Sequence, residues 1–261
     1  MNFMKILKEI FGRIAAFWAL ILFVITLIIF LIPYLLFSHF RPDPTKTKRF
    51  SRFSRVWMGI YLTLIGCPLK VKGRNNFKPG ESYIVVCNHN SLMDVPISYP
   101  AIPGGNKTIA KIEMAKIPLF GMLYRTGSVL VDRKSESSRK ESFVKMKEVL
   151  EMGLHMCIYP EGTRNKTKEL LAPFHNGAFR LASDTRHAIL PGVIFHTAKV
   201  LPAKKTFYLM PHRLEMHFLP PIPVNASDNP ESLKEKVRRV MLDYLQKNSR
   251  TSRSRDYADE R

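Results

Sequence analysis

The longest apolar run of the chain lies near its N-terminus. Residues 15–37 read AAFWALILFVITLIIFLIPYLLF, without a charged side chain. At 1.5 Å per helical residue, this run is long enough to cross a hydrocarbon core of about 30 Å. A secretory signal is the alternative, but its apolar core is shorter, about 7–15 residues, and it ends in small residues. We therefore predict an uncleaved membrane anchor.

A second apolar stretch, residues 56–67, follows a segment in which cations alternate with aromatic residues. That segment, residues 49–57, reads RFSRFSRVW. Such interleaving is typical of the lipid headgroup level, although an ordinary solvated helix start is the alternative. Pro33 and the second stretch leave two forms of anchor open, a single span and a helical hairpin within one leaflet. In either form, the N-terminal anchor is predicted to comprise residues 1–67.

Positive charge is denser after the apolar run than before it. Lys5, Lys8 and Arg13 precede the run, whereas six Lys and Arg residues lie between positions 41 and 55. Cytoplasmic flanks of membrane helices carry such an excess. We therefore predict an inner (cytoplasmic) membrane location, with the main domain facing the cytoplasm.

From about residue 68, short β-branched runs alternate with longer amphipathic stretches. The short runs predict strands at residues 69–72, 83–87, 107–110, 128–131, 155–159, 188–194, 207–210 and 214–219. The amphipathic stretches predict helices at residues 113–124, 137–152, 177–185 and 231–247. This alternation predicts an α/β domain over residues 68–247, with a mixed, mostly parallel sheet flanked by helices and preceded by the membrane-embedded helical segment. Residues 248–261 are basic and predicted to be disordered.

The chain of 261 residues is strongly basic. Its 41 Lys and Arg residues against 21 Asp and Glu residues give a formal charge of +20. Such an excess requires an anionic partner, either nucleic acid or the phosphate surface of a membrane. A nucleic-acid-binding module would not need the uncharged run, and the sequence has no recognised reading motif, so we predict an anionic membrane surface and no nucleic acid. The three cysteines are an odd number without metal-ligand spacing, which indicates a reducing compartment and core packing.

A histidine and an aspartate follow the second predicted strand of the domain. The order Asn88-His89-x-x-x-x-Asp94 puts the imidazole at a strand end and the carboxylate near a helix start. Ser91-x-x-Asp94 has the form of a capping box, whereas Pro96 favours a helix that begins with Asp94 at or next to the N-cap. In the second geometry, the carboxylate reaches one imidazole nitrogen and raises the basicity of the other, which makes a general base. The alternative is a loop histidine beside a structural cap.

A charged turn follows the strand predicted at residues 155–159. It contains Glu161, Gly162, Thr163 and Arg164. The glycine permits a tight turn, which presents one carboxylate and one guanidinium at the strand end. A guanidinium held in this way suits a phosphate monoester, which it can bind through two oxygens. The alternative is a surface turn with an incidental ion pair.

Two further cations follow strands that are predicted between these motifs. Lys111 comes after one strand and Arg133 after the next. Because the carboxyl ends of parallel strands meet at one edge of a sheet, both cations can approach the same place as Arg164. A phosphate dianion facing two or three cations would be held there, whereas Lys116 and Lys134 are interpreted as solvated surface residues.

Together these motifs resemble the four sequence blocks of the glycerophospholipid acyltransferase family. The blocks are Asn88-His89-x-x-x-x-Asp94, the stretch from Lys111 through Gly121 and Gly127 to Arg133, Tyr159-Pro160-Glu161-Gly162-Thr163-Arg164, and Leu190-Pro191-Gly192-Val193. The resemblance covers roughly residues 71–224 and is strongest to bacterial 1-acyl-sn-glycerol-3-phosphate acyltransferases. Tyr159 departs from the phenylalanine that is common in the family.

The resemblance implies direct acyl transfer to a membrane lipid, with phosphatidic acid as product. In the family, the histidine takes the proton of the free sn-2 hydroxyl, which attacks the thioester of acyl-CoA or acyl-carrier protein, so His89 is expected as the base and Asp94 as its orienter. The implied substrate-binding residues are Lys111, Arg133, Glu161, Gly162, Thr163 and Arg164. No metal and no cofactor beyond the acyl-carrying co-substrate is expected. Another acceptor, such as glycerol 3-phosphate or a different lysolipid, and a membrane-bound thioester hydrolase stay open as alternatives.

Overall fold

The N-terminal apolar run forms the first arm of a helical hairpin. A computed structural model of the chain describes the backbone of residues 3–256 and the side chains of residues 3–248. Helix α1 spans Phe3–Tyr34, a π-helical turn follows at Leu35–His39, and helix α2 spans Thr45–Leu64. By length and composition alone, the helical stretch Phe3–His39 could cross a membrane.

The two helices of the hairpin run antiparallel and share the core of the domain. The indole N–H of Trp57 donates to Thr26 Oγ1 at 2.9 Å, and the hydroxyl of Tyr61 donates to the Ala19 carbonyl at 3.3 Å. The same apolar cluster continues from α1 and α2 to Val85 on the sheet. The predicted boundary at residue 67 stays a prediction.

Within the described residues, seven strands form one mixed sheet, whose order is β1-β7-β6-β2-β5-β3-β4. Strands β6, β2, β5, β3 and β4 are parallel to one another, and β7 with β1 runs antiparallel to them. The mostly parallel α/β sheet predicted from the sequence is therefore confirmed. The strands are β1 Leu69–Lys72, β2 Ile84–Cys87, β3 Asn106–Lys111, β4 Ser128–Val131, β5 His155–Ile158, β6 Ile189–Phe195 and β7 Leu214–Phe218.

Helices cover both faces of this sheet. Successive side chains of a strand point to opposite faces, so Val85 packs towards the hairpin and α3, whereas Val86 packs towards α5, α6 and α8. The remaining helices are α3 Asp94–Ala101, α4 Phe120–Gly127, α5 Glu136–Glu151, α6 Gly177–Thr185, α7 Thr197–Val200 and α8 Pro230–Asp256. Short 3₁₀ turns lie at Arg74–Asn76 and Ile112–Lys116.

The strand predicted at residues 207–210 is absent from the sheet described here. Its backbone N–H groups bond elsewhere, from Leu209 to the Gly12 carbonyl at 2.9 Å and from Met210 to the Val200 carbonyl at 3.0 Å. Strand β7 already pairs with β1 and β6, so it leaves no open edge for this segment. The prediction was wrong because an apolar run does not reveal whether a sheet edge is available.

Two helix predictions also need correction. The helix predicted at residues 113–124 is divided into the turn at Ile112–Lys116 and helix α4. Pro118 lacks an N–H donor and Leu119 has a φ of 60°, so a continuous α-helix cannot pass through them. At the C-terminus, the helix predicted at residues 231–247 is longer in the structure, where α8 spans Pro230–Asp256. The disordered tail at residues 248–261 stays a prediction. Residues 257–261 of that predicted tail lie outside the described residues.

The side chain of Asn88 extends the pairing of β2 with β6 by one residue. Its Nδ2 donates to the Ile194 carbonyl at 3.0 Å, and its Oδ1 accepts from the Ile194 N–H at 2.7 Å. Asn88 is fully buried, so water cannot replace either bond. This bridge fixes the start of the loop that carries His89.

Replacing Asn88 with alanine should destabilise the protein without removing any exposed group. Asn88→Ala leaves two buried backbone groups unpaired, and we expect the free energy of unfolding to fall by about 2–4 kcal/mol. Denaturant unfolding followed by circular dichroism would measure this. The matched control is Asn90→Ala, whose side chain makes no hydrogen bond to a described residue and should change stability by less than about 0.5 kcal/mol. Equal effects of the two substitutions would contradict the bridge.

Candidate active site

The predicted site residues lie at one edge of the sheet. Strands β2, β5, β3 and β4 are adjacent and parallel, so their carboxyl ends point the same way. His89 follows β2, Glu161 follows β5, Lys111 ends β3, and Arg133 follows β4. Parallel sheets form their sites at this edge.

His89 and Asp94 form a hydrogen-bonded pair. His89 Nδ1 and Asp94 Oδ2 are 2.7 Å apart, which requires that Nδ1 carry the proton when Asp94 is ionised. Asp94 is the first residue of α3, next to the N-cap residue Met93, as predicted. Oδ2 also accepts from the N–H groups of Asn90 at 2.6 Å and Ser91 at 2.8 Å, so the cap and the histidine partner are one carboxylate.

Of the two side chains in this pair, only the imidazole reaches the solvent. The Asp94 side chain is completely buried, whereas 19% of the His89 side chain is exposed. Since Nδ1 is bound to Asp94, Nε2 is the nitrogen left to exchange a proton with another molecule. The arrangement is that of a general base whose tautomer is fixed by a buried carboxylate.

The backbone and ring of His89 are held as firmly as its Nδ1. The His89 N–H donates to Glu161 Oε1 at 2.7 Å, and the His89 carbonyl accepts from the Asn165 N–H at 2.6 Å. The imidazole also lies against the ring of Tyr159, with 4.6 Å between centroids. The Tyr159 hydroxyl is 2.6 Å from Ser98 Oγ on α3. The loop after β5 therefore positions the histidine after β2.

Glu161 has surroundings that differ from those expected of a substrate ligand. It is 3% exposed, and its second oxygen, Oε2, accepts from the Ala172 N–H at 2.9 Å. Burial raises the pKa of this carboxyl group, and the N–H donors of His89 and Ala172 oppose the rise. Both oxygens are thus bound to backbone groups of the protein. This contact gives Glu161 a positioning role through His89.

The turn around Gly162 brings one of the predicted cations to the site. Gly162 has a φ of 69°, and an added Cβ would lie 2.8 Å from His175 Cδ2, so only glycine fits. The Arg133 guanidinium donates to the Gly162 carbonyl. Thr163 is exposed at the tip of the turn, and Lys111 is exposed at the end of β3.

Arg164 faces a different wall of the site from the one that Arg133 contacts. It is half-buried and lines a cavity of about 490 Å³, together with Leu92 and Met93 from the His89 loop. Helix α1 and residues 201–209 close the other side of this cavity. Arg164 makes no hydrogen bond or ion pair with any described residue, so its guanidinium is available to an anion.

Sequence reasoning missed several groups that support the site. Asn88, Ser98 and Asn165 contribute only through contacts with residues 61 or more positions away. The wall of the cavity at residues 201–209 carries no motif. Among the described residues, no group of three His, Cys, Asp or Glu side chains could hold a metal ion.

Comparisons with known proteins show what the chain is similar to. Residues 68–195 match the family model described as Acyltransferase. A 1-acyl-sn-glycerol-3-phosphate acyltransferase alpha of Ovis aries is 31% identical over 186 residues, which cover 69% of this chain and 63% of that protein. A 1-acyl-sn-glycerol-3-phosphate acyltransferase of Helicobacter pylori is 33% identical over 155 residues, 59% of this chain and 64% of that protein.

The fold has a counterpart among solved structures. The chain is similar in fold to the crystal structure of the 1-acyl-sn-glycerophosphate acyltransferase PlsC from Thermotoga maritima, with a TM-score of 0.76 and 22% sequence identity. The match covers 92% of this chain and 97% of the PlsC chain. The chain spans slightly under two thirds of the length of the two sequence relatives. Residues 68–195 therefore form an acyltransferase domain. This match places residues 68–195 in the acyltransferase family, as the sequence blocks predicted.

Removing the Glu161 carboxylate should loosen the His89 loop locally. In Glu161→Ala, the amides of His89 and Ala172 lose a charged acceptor, and we expect their hydrogen exchange to become about ten- to a hundredfold faster. Mass spectrometry of exchanged peptides would measure this. Glu169→Ala, an exposed carboxylate in the same loop, is the control and should leave both amides protected. Unchanged exchange in Glu161→Ala would mean that other contacts hold the loop.

Proposed function

We propose that this protein transfers a fatty acyl group from acyl-CoA or acyl-carrier protein to the sn-2 hydroxyl of 1-acyl-glycerol-3-phosphate, which gives phosphatidic acid. The observation that carries the proposal is the 2.7 Å pair of His89 and Asp94 at the edge of an acyltransferase domain. The names of the sequence relatives support the same acceptor. The chemistry then follows from the geometry of the pair.

In the proposed reaction, His89 Nε2 takes the proton of the acceptor hydroxyl as its oxygen attacks the thioester carbonyl. The tetrahedral intermediate collapses and the carbon–sulfur bond breaks. The thiolate leaves and receives the proton from the imidazolium, so the histidine returns to its starting form. Asp94 keeps Nδ1 protonated and stabilises the imidazolium with its negative charge. No acyl-enzyme is needed.

The acceptor's phosphate is proposed to bind Arg164. Its guanidinium lines the cavity beside the His89 loop and has no competing partner among the described residues. A guanidinium binds two oxygens of a phosphate monoester, which fixes both the position and the orientation of the glycerol. Lys111 and Arg133 are proposed as further phosphate contacts at the same edge.

Apolar spaces beside the site suit the fatty chains. The Arg164 cavity is bounded by Ala16, Ala19 and Phe23 of α1. A second, apolar cavity of about 90 Å³ lies between α2, α3 and α4, where Phe50 and Tyr99 face it. Since α3 begins at Asp94, this cavity is close to the reacting groups, and we assign to it the part of the donor's acyl chain next to the thioester.

A membrane location follows from the same chemistry. Each buried CH₂ group is worth about 0.8 kcal/mol, so moving a fatty chain into water would be too costly. The apolar helix α1, which forms one wall of the acceptor cavity, would keep the site at the bilayer surface. We propose that the protein lies in the inner (cytoplasmic) membrane with its domain in the cytoplasm.

An acceptor screen tests the proposal directly. The full-length protein in vesicles would be given one labelled acyl thioester with 1-acyl-glycerol-3-phosphate, glycerol 3-phosphate, another lysolipid or no acceptor. We expect label to appear in phosphatidic acid. Faster transfer to another acceptor would correct the substrate, and thioester loss without any acceptor would indicate a hydrolase.

Loss of the proposed base should lower turnover far more than binding. For His89→Ala, we expect kcat to fall by about 10²–10⁴-fold, because no other group in contact with the acceptor hydroxyl is proposed to take its proton. Steady-state kinetics with vesicle co-sedimentation would separate turnover from membrane binding. His187→Ala, at a histidine remote from the dyad in the sequence, serves as control. Near-normal turnover of His89→Ala would remove it from the mechanism.

Loss of the proposed phosphate ligand should affect the acceptor selectively. For Arg164→Ala, we expect the acceptor KM to rise by about ten- to a hundredfold, the worth of a charge-assisted hydrogen bond, and the donor KM to change little. Lys166→Ala removes an exposed cation two residues away and should change neither value. An equal rise in both KM values for Arg164→Ala would contradict the assignment.

A further inference from the structure

A groove lies at the closed end of the helical hairpin, apart from the site at the sheet edge. It has a volume of about 400 Å³ and lies between the end of α1, the π-helical turn and the first half of α2. Its apolar walls include Phe37, Phe53 and Val56. Its polar groups come from Ser38, Arg49 and Arg52, and it shares no lining residue with the Arg164 cavity. We call it the hairpin groove.

Two cations of residues 49–57, the segment in which cations alternate with aromatic residues, line this groove. Arg49 and Arg52 are three residues apart on α2, so they lie on one face of the helix. Arg49 donates to the Phe37 carbonyl at 2.6 Å, whereas Arg52 is exposed and makes no hydrogen bond or ion pair with a described residue. Arg55 differs, because its guanidinium donates to two carbonyls of the domain, those of Pro100 and Ile102. Arg55 therefore has a structural role, whereas Arg49 and Arg52 line the groove.

Among the side chains that the structure describes, none supplies an anion to these two arginines. No carboxylate lines the groove, and the only acidic residue between positions 10 and 80 of the sequence is Asp43. Asp43 is already bound to Lys107 Nζ at 2.7 Å and to Thr47 Oγ1 at 2.6 Å. An anion that neutralises Arg49 and Arg52 therefore has no source among the described side chains.

Ser38 gives an independent indication of a ligand in the groove. The residue is 1% exposed, and its Oγ has no hydrogen-bond partner among the described residues. A buried hydroxyl without a partner costs about 1–3 kcal/mol by general measurements, so such groups are rare in native proteins. Ser38 lies on the π-helical turn and lines the groove together with Arg49 and Arg52. Its hydroxyl can donate to a phosphate oxygen.

The surroundings of the groove distinguish a lipid from a soluble anion. Leu36, Phe37 and Phe40 on the turn are 70%, 60% and 87% exposed, and Ile29 and Ile32 on α1 are also exposed. Apolar side chains of this size next to a pair of arginines are typical of the boundary between headgroups and acyl chains. We propose that the hairpin groove binds the phosphate of an anionic phospholipid, whose acyl chains lie along the exposed face of α1.

Vesicle binding without any acyl donor tests this proposal, so its outcome does not depend on acyl transfer. The full-length protein would be titrated with phosphatidylcholine vesicles with and without phosphatidylglycerol. Arg52→Gln removes a cation that has no partner in the protein, and we expect its affinity for the anionic vesicles to fall at least about fivefold. Ser38→Ala should lower the same affinity by a similar factor. Because neither side chain bonds within the described part of the protein, Arg52→Gln should unfold thermally like the wild type. Ser38→Ala, which removes an unpaired buried hydroxyl, should be at least as stable as the wild type.

The control removes equal charge from an exposed helix face elsewhere. Lys236 lies on α8, is exposed and makes no ion pair with a described residue. Lys236→Gln should therefore change vesicle affinity by less than about twofold. A loss equal to that of Arg52→Gln, or full binding by Ser38→Ala, would overturn the groove in favour of diffuse charge attraction. Displacement of the vesicles by inorganic phosphate would assign the groove to free phosphate and overturn the lipid assignment.

Discussion

The site depends on two hydrogen bonds that fix His89, one to its side chain and one to its backbone. A buried carboxylate, Asp94, binds the imidazole Nδ1, and a second buried carboxylate, Glu161, binds the backbone N–H of the same residue. The two come from different parts of the chain, one from the helix after β2 and the other from the turn after β5. Strands β2 and β5 are neighbours in the sheet, so the register in which they pair determines where these two carboxylates lie. Through the two contacts, that register fixes the position of His89 Nε2. A base that must meet a hydroxyl within hydrogen-bond distance needs such fixation.

Sequence patterns predicted the parts of this arrangement that are local. Strands and helices of the domain followed from alternation and periodicity, and the approach of Asp94 to His89 followed from Pro96, which restricts where the helix can begin. The role of Glu161 could not be predicted in this way. A carboxylate in a turn looks the same in sequence whether it faces a ligand or two backbone amides, and its partner His89 lies 72 positions earlier. Its burial is set by the packing of the loop and not by the motif.

The tertiary contacts of the N-terminal hairpin also could not be predicted from the sequence pattern. Its apolar character was evident, but the pattern did not reveal that α1 and α2 pack into the core of the domain or that residues 201–209 form a cavity with α1. Gly12 allows this contact, because an added Cβ would lie 2.1 Å from the Tyr208 ring. The apolar run at residues 207–210 was therefore mistaken for a strand, although its backbone bonds to α1 and to the last residue of α7. Burial against a helix and burial in a sheet give the same apolar signal.

The net charge has a more specific meaning once the carboxylates near the site and the hairpin are located. Near the site and the hairpin, Asp43, Asp94 and Glu161 are all bound by groups of the protein itself, as is Glu215 by His217 and Lys72. These acids cannot neutralise the arginines that line the two cavities. Part of the +20 excess is solvated, as at the exposed Lys166 and Lys236. Arg164 beside the dyad and Arg52 in the hairpin groove differ, because each lines a cavity and has no hydrogen-bond or ion-pair partner among the described residues. External phosphate groups are the partners whose chemistry fits both places.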